Sequence, residues 1–258
     1  MKKFLMFLSV MFIGTAYGVT ETINWYVDGS VYDTTTCQTG ADIILPATPT
    51  KRGYNFTGWE QVFTKLEYIQ GTGTQYINTG FIPNQDTSIK TRIQITSLTN
   101  LDSVSFLGSN VSYNQRTLAL GMWEKHISFG YYNLSHATGI NPVAGNIINF
   151  DLNKNVGKIS IEGGQSQTIT GSANNFSCPY PLTIFSTNNP NNYNVVSRND
   201  CGSFRLYYFQ IYDDGVLVRD FIPVLAGDTP CLYDKVERKL YYNPGTDDFI
   251  AGPVISGE

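Results

Sequence analysis

The sequence predicts an all-β protein, with a small β module followed by a larger antiparallel sandwich. Three observations carry that expectation. The 24 Gly and 11 Pro, with many Asn and Ser, fall mainly between short apolar runs, where turn chemistry belongs. The clearest run has period two: Ile89, Thr91, Ile93 and Ile95 alternate with Lys90, Arg92 and Gln94, the mark of a strand buried on one face. Beyond the first residues, no stretch sustains the i, i+3, i+4, i+7 apolar spacing of an amphipathic helix. Aromatic residues at 14% and charged residues at 15% describe a chain with enough apolar surface to fold. A net charge of -4 and the lack of a dense Lys/Arg run argue against nucleic acid as a partner.

Residues 1–18 read as a secretory signal peptide. Lys2 and Lys3 precede the apolar run from Phe4 to Ile13, and Ala16-Tyr17-Gly18 places small residues at positions -3 and -1 of a cleavage site. The apolar run of about ten residues is short of the roughly 20 that span a bilayer, and nothing later is apolar enough to do so. The expectation is a bacterial protein that is secreted or held at the cell surface, with the periplasm as the alternative. Cleavage after Gly18 removes two lysines and no acid, leaving 15 basic residues against 21 acidic ones and a mature charge of -6.

Export would place Cys37, Cys178, Cys201 and Cys231 in an oxidising compartment. Four cysteines allow three complete pairings, and register favours one pair. Asp213-Asp214-Gly215-Val216 has the pattern of a two-residue hairpin turn. If Asp213 opposes Val216, the register continues to bring Cys201 opposite Asp228, close to Cys231. Cys201–Cys231 is the favoured disulfide, and four unpaired thiols are the alternative. Zinc is disfavoured by the long cysteine spacings and by His126 and His136 being the only histidines.

The module is expected over 19–62. Thr22 to Val27 has strand character and stops at Asp28-Gly29, a hairpin signal, after which Val31-Tyr32 begins a second strand. Gly53-Tyr54-Asn55-Phe56-Thr57-Gly58-Trp59 forms a further extended segment punctuated by glycine. Trp25, Tyr54, Phe56 and Trp59 are expected to supply most of the burial in so small a unit. The segment Pro49-Thr50-Lys51-Arg52-Gly53-Tyr54-Asn55-Phe56-Thr57-Gly58-Trp59, after Asp28-Gly29 and Gly40 with Ile43 and Pro46, resembles the internalin-type B repeat, also called the Listeria–Bacteroides repeat. That resemblance implies a β-grasp-like spacer or interaction module of secreted and surface bacterial proteins. A single copy without leucine-rich repeats gives no basis for host-cell invasion.

The sandwich is expected over 65–253. Short runs at 104–107, 118–120, 127–129, 147–150, 158–161, 182–185, 204–212, 216–222 and 240–242 are separated by Gly, Asn, Pro or Ser, the spacing of a sandwich or jelly roll. Leu66 to Gly80, with Gly71-Thr72-Gly73-Thr74 inside it, resembles the opening of a laminin-G-like, concanavalin A-like domain. Phe209 to Pro223 and Cys231-Leu232-Tyr233-Asp234-Lys235-Val236 through Thr246 resemble its close. The resemblance implies an antiparallel jelly-roll β-sandwich, and binding or adhesion far more often than catalysis.

Sugar binding calls for an aromatic face with polar partners in a concavity. Trp123, His126, Tyr131 and Tyr132 are the candidate ligand-binding residues, with amides from the Asn188–Asn194 segment; core packing is the competing reading of Trp123 and Tyr131. No two of the seven glutamates lie within four residues, so the E-x-D-x-E strand used by glycan-cleaving relatives of this fold is missing. No catalytic residue is assigned, and no cofactor is expected. Calcium stays open as a cofactor because laminin-G-like relatives sometimes bind it, yet Asp213-Asp214 and Asp247-Asp248 read more simply as a turn and a loop. The expected function is a non-catalytic, lectin-like binding protein that engages glycans or cell-surface protein. The alternatives are a self-associating structural module without a small ligand and a glycoside hydrolase on a concanavalin-like fold.

Overall fold

The computed structural model describes residues 2–10, 20–28, 30–38, 43–61, 63–97, 103–110, 118–123, 126–131, 134–170, 175–176, 178–188 and 203–255. Among these residues the secondary structure is all β, and no helix is long and apolar enough to cross a membrane. The strands are β1 (Lys2–Val10), β2 (Thr20–Val27), β3 (Ser30–Gln38), β4 (Tyr54–Gln61), β5 (Thr64–Lys65), β6 (Ile69–Gln70), β7 (Ile77–Asn78) and β8 (Thr87–Ile95). Next come β9 (Ser103–Ser109), β10 (Leu118–Trp123), β11 (His126–Tyr131), β12 (Leu134–Ala137), β13 (Ile147–Leu152), β14 (Val156–Ile161) and β15 (Ser166–Thr170). The series ends with β16 (Thr183–Ile184), β17 (Thr187–Asn188), β18 (Phe204–Asp213), β19 (Val216–Ala226), β20 (Thr229–Asp234), β21 (Lys239–Tyr241) and β22 (Ile250–Ala251). Two compact units result, one of residues 1–64 with 225–229 and one of 65–224 with 230–258.

In the small unit the sheet runs β3-β2-β1-β4. Val27 pairs with Ser30 across the first turn, where Asp28 takes the left-handed φ of 51° that such a hairpin needs. β3 runs on to Gln38, well beyond the Val31-Tyr32 start legible in the sequence. Trp25 and Ile23 are fully buried with Cys37 and Trp59 packed against them, and the two indoles meet edge to face at 4.7 Å. The buried indole nitrogen donates to Thr35 Oγ1 at 2.8 Å. Gly58, at φ 130°, coincides with a register shift in β4 that lets Phe56 and Trp59 meet at 5.5 Å, although three residues apart on a strand. β1, from the segment read as an export signal, pairs antiparallel with β2 and parallel with β4. Removal of residues 1–18 would take this strand out of the sheet.

The large unit is an antiparallel jelly-roll sandwich. One sheet follows β12-β11-β10-β9-β16-β7, with β17 parallel to β9; the other follows β15-β14-β13-β8-β18-β19-β20-β21, with β6 on β18 and β22 on β6. The inward residues of the two sheets interlock. Phe106 of β9 meets Phe150 of β13 at 6.3 Å and Phe204 of β18 at 5.2 Å, and Phe185 stacks on Phe204 at 4.3 Å. Phe185 follows the equally buried Ile184 because its φ of 69° turns two successive side chains inward. Asp214 and Gly215, at φ 46° and 77°, make the expected two-residue hairpin turn, and Asp213 does oppose Val216. A bulge after Tyr212 then moves the register by one, so Ile211 faces Arg219. Cys201 lies outside the described residues, and the expected disulfide with it. Cys231 is buried, Cys37 and Cys178 are not disulfide-bonded, and the Cys178 thiol sits 2.9 Å from Ser109 Oγ.

The closing motif has a structural role. Asp234 is fully buried and accepts from the backbone N–H groups of Asp220 (2.9 Å) and Val236 (3.0 Å), pinning the turn between β20 and β21. Arg219 lies 3.5 Å from this carboxylate and 2.6 Å from Glu237, whose other oxygen accepts the Tyr241 hydroxyl.

Gly157 of β14 tests the closeness of the two sheets. A Cβ there would come within 2.4 Å of the Phe129 ring of β11, and its φ is not in the left-handed region, so sterics alone oppose a side chain. Gly157→Ala is expected to lower stability by about 1–3 kcal/mol, and by less in a Phe129→Leu background, in chemical-denaturation measurements. An equal cost in both backgrounds would contradict the packing.

Candidate functional site

The candidate site is the outward face of the large sheet, along its adjacent strands β8 and β18. The alternation seen in the sequence is realised in β8: Thr87, Ile89, Thr91, Ile93 and Ile95 are buried, leaving Ser88, Lys90, Arg92 and Gln94 on the solvent side. β18 pairs antiparallel with it and turns Phe204, Leu206, Phe209 and Ile211 inward. Leu206 lies opposite Ile93 and Tyr208 opposite Arg92, so one extra residue, Tyr207, enters β18. The bulge leaves two successive half-buried tyrosines, Tyr207 and Tyr208, beside one arginine. Thr91 Oγ1 holds it by donating to the Tyr208 carbonyl at 2.7 Å.

The side chains on this face form an ordered row. The Arg92 guanidinium lies 4.5 Å from the centre of the Tyr207 ring, Tyr207 meets Tyr68 edge to face at 5.7 Å, and Arg205 lies 4.4 Å over Tyr68. Gln94 Oε1 ties the row together, accepting from Arg205 Nη1 at 2.9 Å and from the Tyr207 hydroxyl at 3.3 Å. Arg205 Nε donates to Gln70 Oε1 at 2.9 Å. On the other side Arg92 grips Glu162 through two nitrogens, at 2.8 and 3.1 Å, and Asn149 Nδ2 donates to the same carboxylate at 3.2 Å. Further along, Lys90 stands 5.6 Å from the Tyr212 ring centre and 3.6 Å from Asp151.

These contacts set the protonation states. The Arg92 hydrogen bond, aided by Asn149, holds the Glu162 carboxyl below the usual carboxylate range, and the same pairing raises Arg92. Partial burial, reinforced by the charge of Glu67, raises the Tyr207 phenol, and burial likewise raises Tyr208. At neutral pH the face therefore presents an ionised Glu162 paired with cationic Arg92, and the Tyr207 and Tyr208 phenols keep their protons. It offers fixed donors and acceptors.

The residues favoured from sequence lie elsewhere. Trp123 and His126 are the last pair before the connection at the turn end of the β10–β11 hairpin, with His126 half-buried; the Trp123 side chain and the whole of Tyr132 fall outside the described residues. Tyr131 is 2% exposed and belongs to the core, which corrects its reading as a ligand contact. Its hydroxyl crosses between the sheets to the carbonyls of Thr87 (3.1 Å) and Leu152 (3.3 Å), and burial raises its pKa. Asn188 is also buried, donating to the Pro181 carbonyl at 3.0 Å, while 189–194 lie outside the described residues. Of the acidic pairs weighed for calcium, Asp213 accepts from Asn84 Nδ2 at 3.0 Å, and Asp214 and Asp247 occupy left-handed turn positions. Among the described residues, no group of three or more His, Cys, Asp or Glu side chains is placed to hold a metal.

The small unit has an open hollow of about 650 Å³ bordered by Thr48, Lys51, Arg52, Tyr54 and Phe56. Its Lys51 cation is engaged, 2.6 Å from Asp28 and 4.8 Å from the Tyr54 ring centre.

No protein-family model and no curated protein matches the chain. Among solved structures, it is similar to a candidate carbohydrate-binding protein from Bacteroides ovatus, at 8% identity over 92% of this chain and 69% of that one, with a TM-score of 0.49. It is similar also to a heptameric SAP-like pentraxin from Limulus polyphemus, at 10% identity over 58% of this chain and 71% of that one, TM-score 0.36. A third similarity is to domains LG4-5 of the mouse laminin α1 chain, at 13% identity over 69% of this chain and 47% of that one, TM-score 0.38. None of these comparisons shows an internalin-type repeat in the small unit.

The ion pair of Arg92 with Glu162 has a direct pH signature. A lowered folded-state pKa means that the pair adds to stability at neutral pH and that this contribution is lost as pH falls through the Glu162 pKa. Carboxyl-carbon NMR across an acid titration is expected to show Glu162 titrating below a model-peptide glutamate in the wild type and returning towards it in Arg92→Gln. Identical titration in both proteins would contradict the pairing.

Proposed function

We propose that this is a glycan-binding protein whose ligand lies across the outward face of β8 and β18. The observation that carries the reading is the Arg92–Tyr207–Tyr68–Arg205 row, with Gln70, Gln94, Asn149 and Glu162 fixed around it. A sugar ring offers C–H faces to aromatic surface and hydroxyls that both donate and accept, so it suits phenols interleaved with guanidinium, amide and carboxylate groups. Internal hydrogen bonds already order these side chains on two central strands, which lowers the entropy that binding must supply. Glu162, held ionised by Arg92, is suited to accept hydrogen bonds from a ligand rather than to serve as the protonated acid a glycosidase needs. The export reading of residues 1–18 supports action outside the cytoplasm, where glycans of cell surfaces and matrices are met.

The test is a glycan array probed with the protein, followed by titration calorimetry on the best hit. Tyr207→Ala and Tyr68→Ala are each expected to weaken binding about tenfold or more, from a ring contact worth roughly 0.5–1.5 kcal/mol together with the ordering it gives the neighbouring arginine. Trp123→Ala is expected to leave affinity unchanged. Loss of binding in Trp123→Ala with Tyr207→Ala unaffected would move the site to the β10–β11 hairpin, and a blank array would remove the glycan reading.

A further inference from the structure

We propose that the glycan recognised is anionic, and that Arg205 takes its charged group. This rests on the glycan reading above and sharpens it to a substrate class. The outward face of the central strands carries three cations, which differ in how they are neutralised. Arg92 is occupied by the Glu162 carboxylate through two hydrogen bonds, and Lys90 stands 3.6 Å from Asp151. Arg205 is held at Nε by Gln70 Oε1 and at Nη1 by Gln94 Oε1, both neutral amide oxygens. Those bonds aim the guanidinium without cancelling its charge. Among the described residues, no carboxylate comes within 4.0 Å of it; Glu67 is the nearby acid whose charge reaches Tyr207, and it forms no ion pair with Arg205.

The occupied arginine beside it shows what such a site accepts. Arg92 stacks on Tyr207 and takes a carboxylate in its planar fork; Arg205 stacks on Tyr68 and keeps the remaining N–H groups of its fork for a ligand. Arg92 takes Glu162 side-on through Nε and Nη2, whereas Arg205 has its Nε committed to Gln70, so a uronate or sialate carboxylate would meet Arg205 end-on at its Nη groups, with the sugar ring directed along the tyrosine row. A sulfate ester presents the same anionic oxygens, so the two sources share one chemistry.

An array of uronate-bearing, sialylated, sulfated and neutral oligosaccharides separates the outcomes. The expected result is binding confined to acidic glycans and weakened by added salt. Chemical reduction of the ligand carboxyl to the alcohol should cost about tenfold or more in affinity. Arg205→Gln should cost the acidic ligand a similar factor while leaving the unfolding midpoint unchanged, and Arg205→Lys should recover part of it as a point charge without the fork. Hits among sulfated glycans alone would support the anion site and assign sulfate as its source. Equal binding of a carboxylated ligand and its reduced form, or of wild type and Arg205→Gln, would overturn the anion site and leave glycan binding intact. A blank array would overturn both.

Discussion

The antiparallel pairing of β8 with β18 is the constraint on which the large unit and its candidate site both depend. It sets Ile89, Thr91, Ile93 and Ile95 into the core against Phe204, Leu206, Phe209 and Ile211, and by the same alternation sends Lys90, Arg92, Gln94, Arg205 and the tyrosines to the other side. A slip of one residue would exchange the two sets, burying cations and exposing isoleucines. Core burial therefore holds the register of the site. Fully burying one such apolar side chain is worth about 1.5–3 kcal/mol, more than the surface interactions that organise the outer face.

The polar groups are arranged more for order than for stability. Exposed ion pairs such as Arg92–Glu162 contribute about 0–1 kcal/mol, yet this pair places the guanidinium over Tyr207 while Glu162 also receives Asn149. The bulge at Tyr207 adds a second outward tyrosine where regular pairing would allow one. At the far end of the sheet the fully buried Asp234 anchors backbone N–H groups beside Arg219, fixing the closing hairpin. The two networks use similar side chains to different ends. Asp234 is sealed from solvent and spends its first oxygen on backbone donors, whereas the β8–β18 row remains half-exposed.

Much of the architecture is legible in the sequence, because period-two alternation and turn residues are local signals. The Asp214-Gly215 hairpin, the strand at 89–95, the buried Trp25 and the glycine at the β4 bulge follow from neighbours in the chain. The candidate site does not. Arg92 and Tyr207 are separated by more than 100 residues, and sequence alternation turns Arg92 outward without showing that β8 and β18 are adjacent. The extra tyrosine in Leu206-Tyr207-Tyr208-Phe209 is a readable irregularity, since strict alternation would bury one of the pair. Tyr131 misleads for the opposite reason. Its ring fits either a sugar-facing surface or a sandwich core, and what settles it for the core is a hydroxyl contact to carbonyls of Thr87 and Leu152, on strands far away in the sequence.

The proposed ligand lies on the β8–β18 face. Amide NMR spectra of the folded protein, recorded during titration with the strongest glycan-array hit, test it most directly. The largest shifts are expected on residues 90–94 and 205–212 and on Tyr68, with the β10–β11 hairpin unchanged. Shifts concentrated at Trp123, His126 and their neighbours, with β8 and β18 silent, would contradict it.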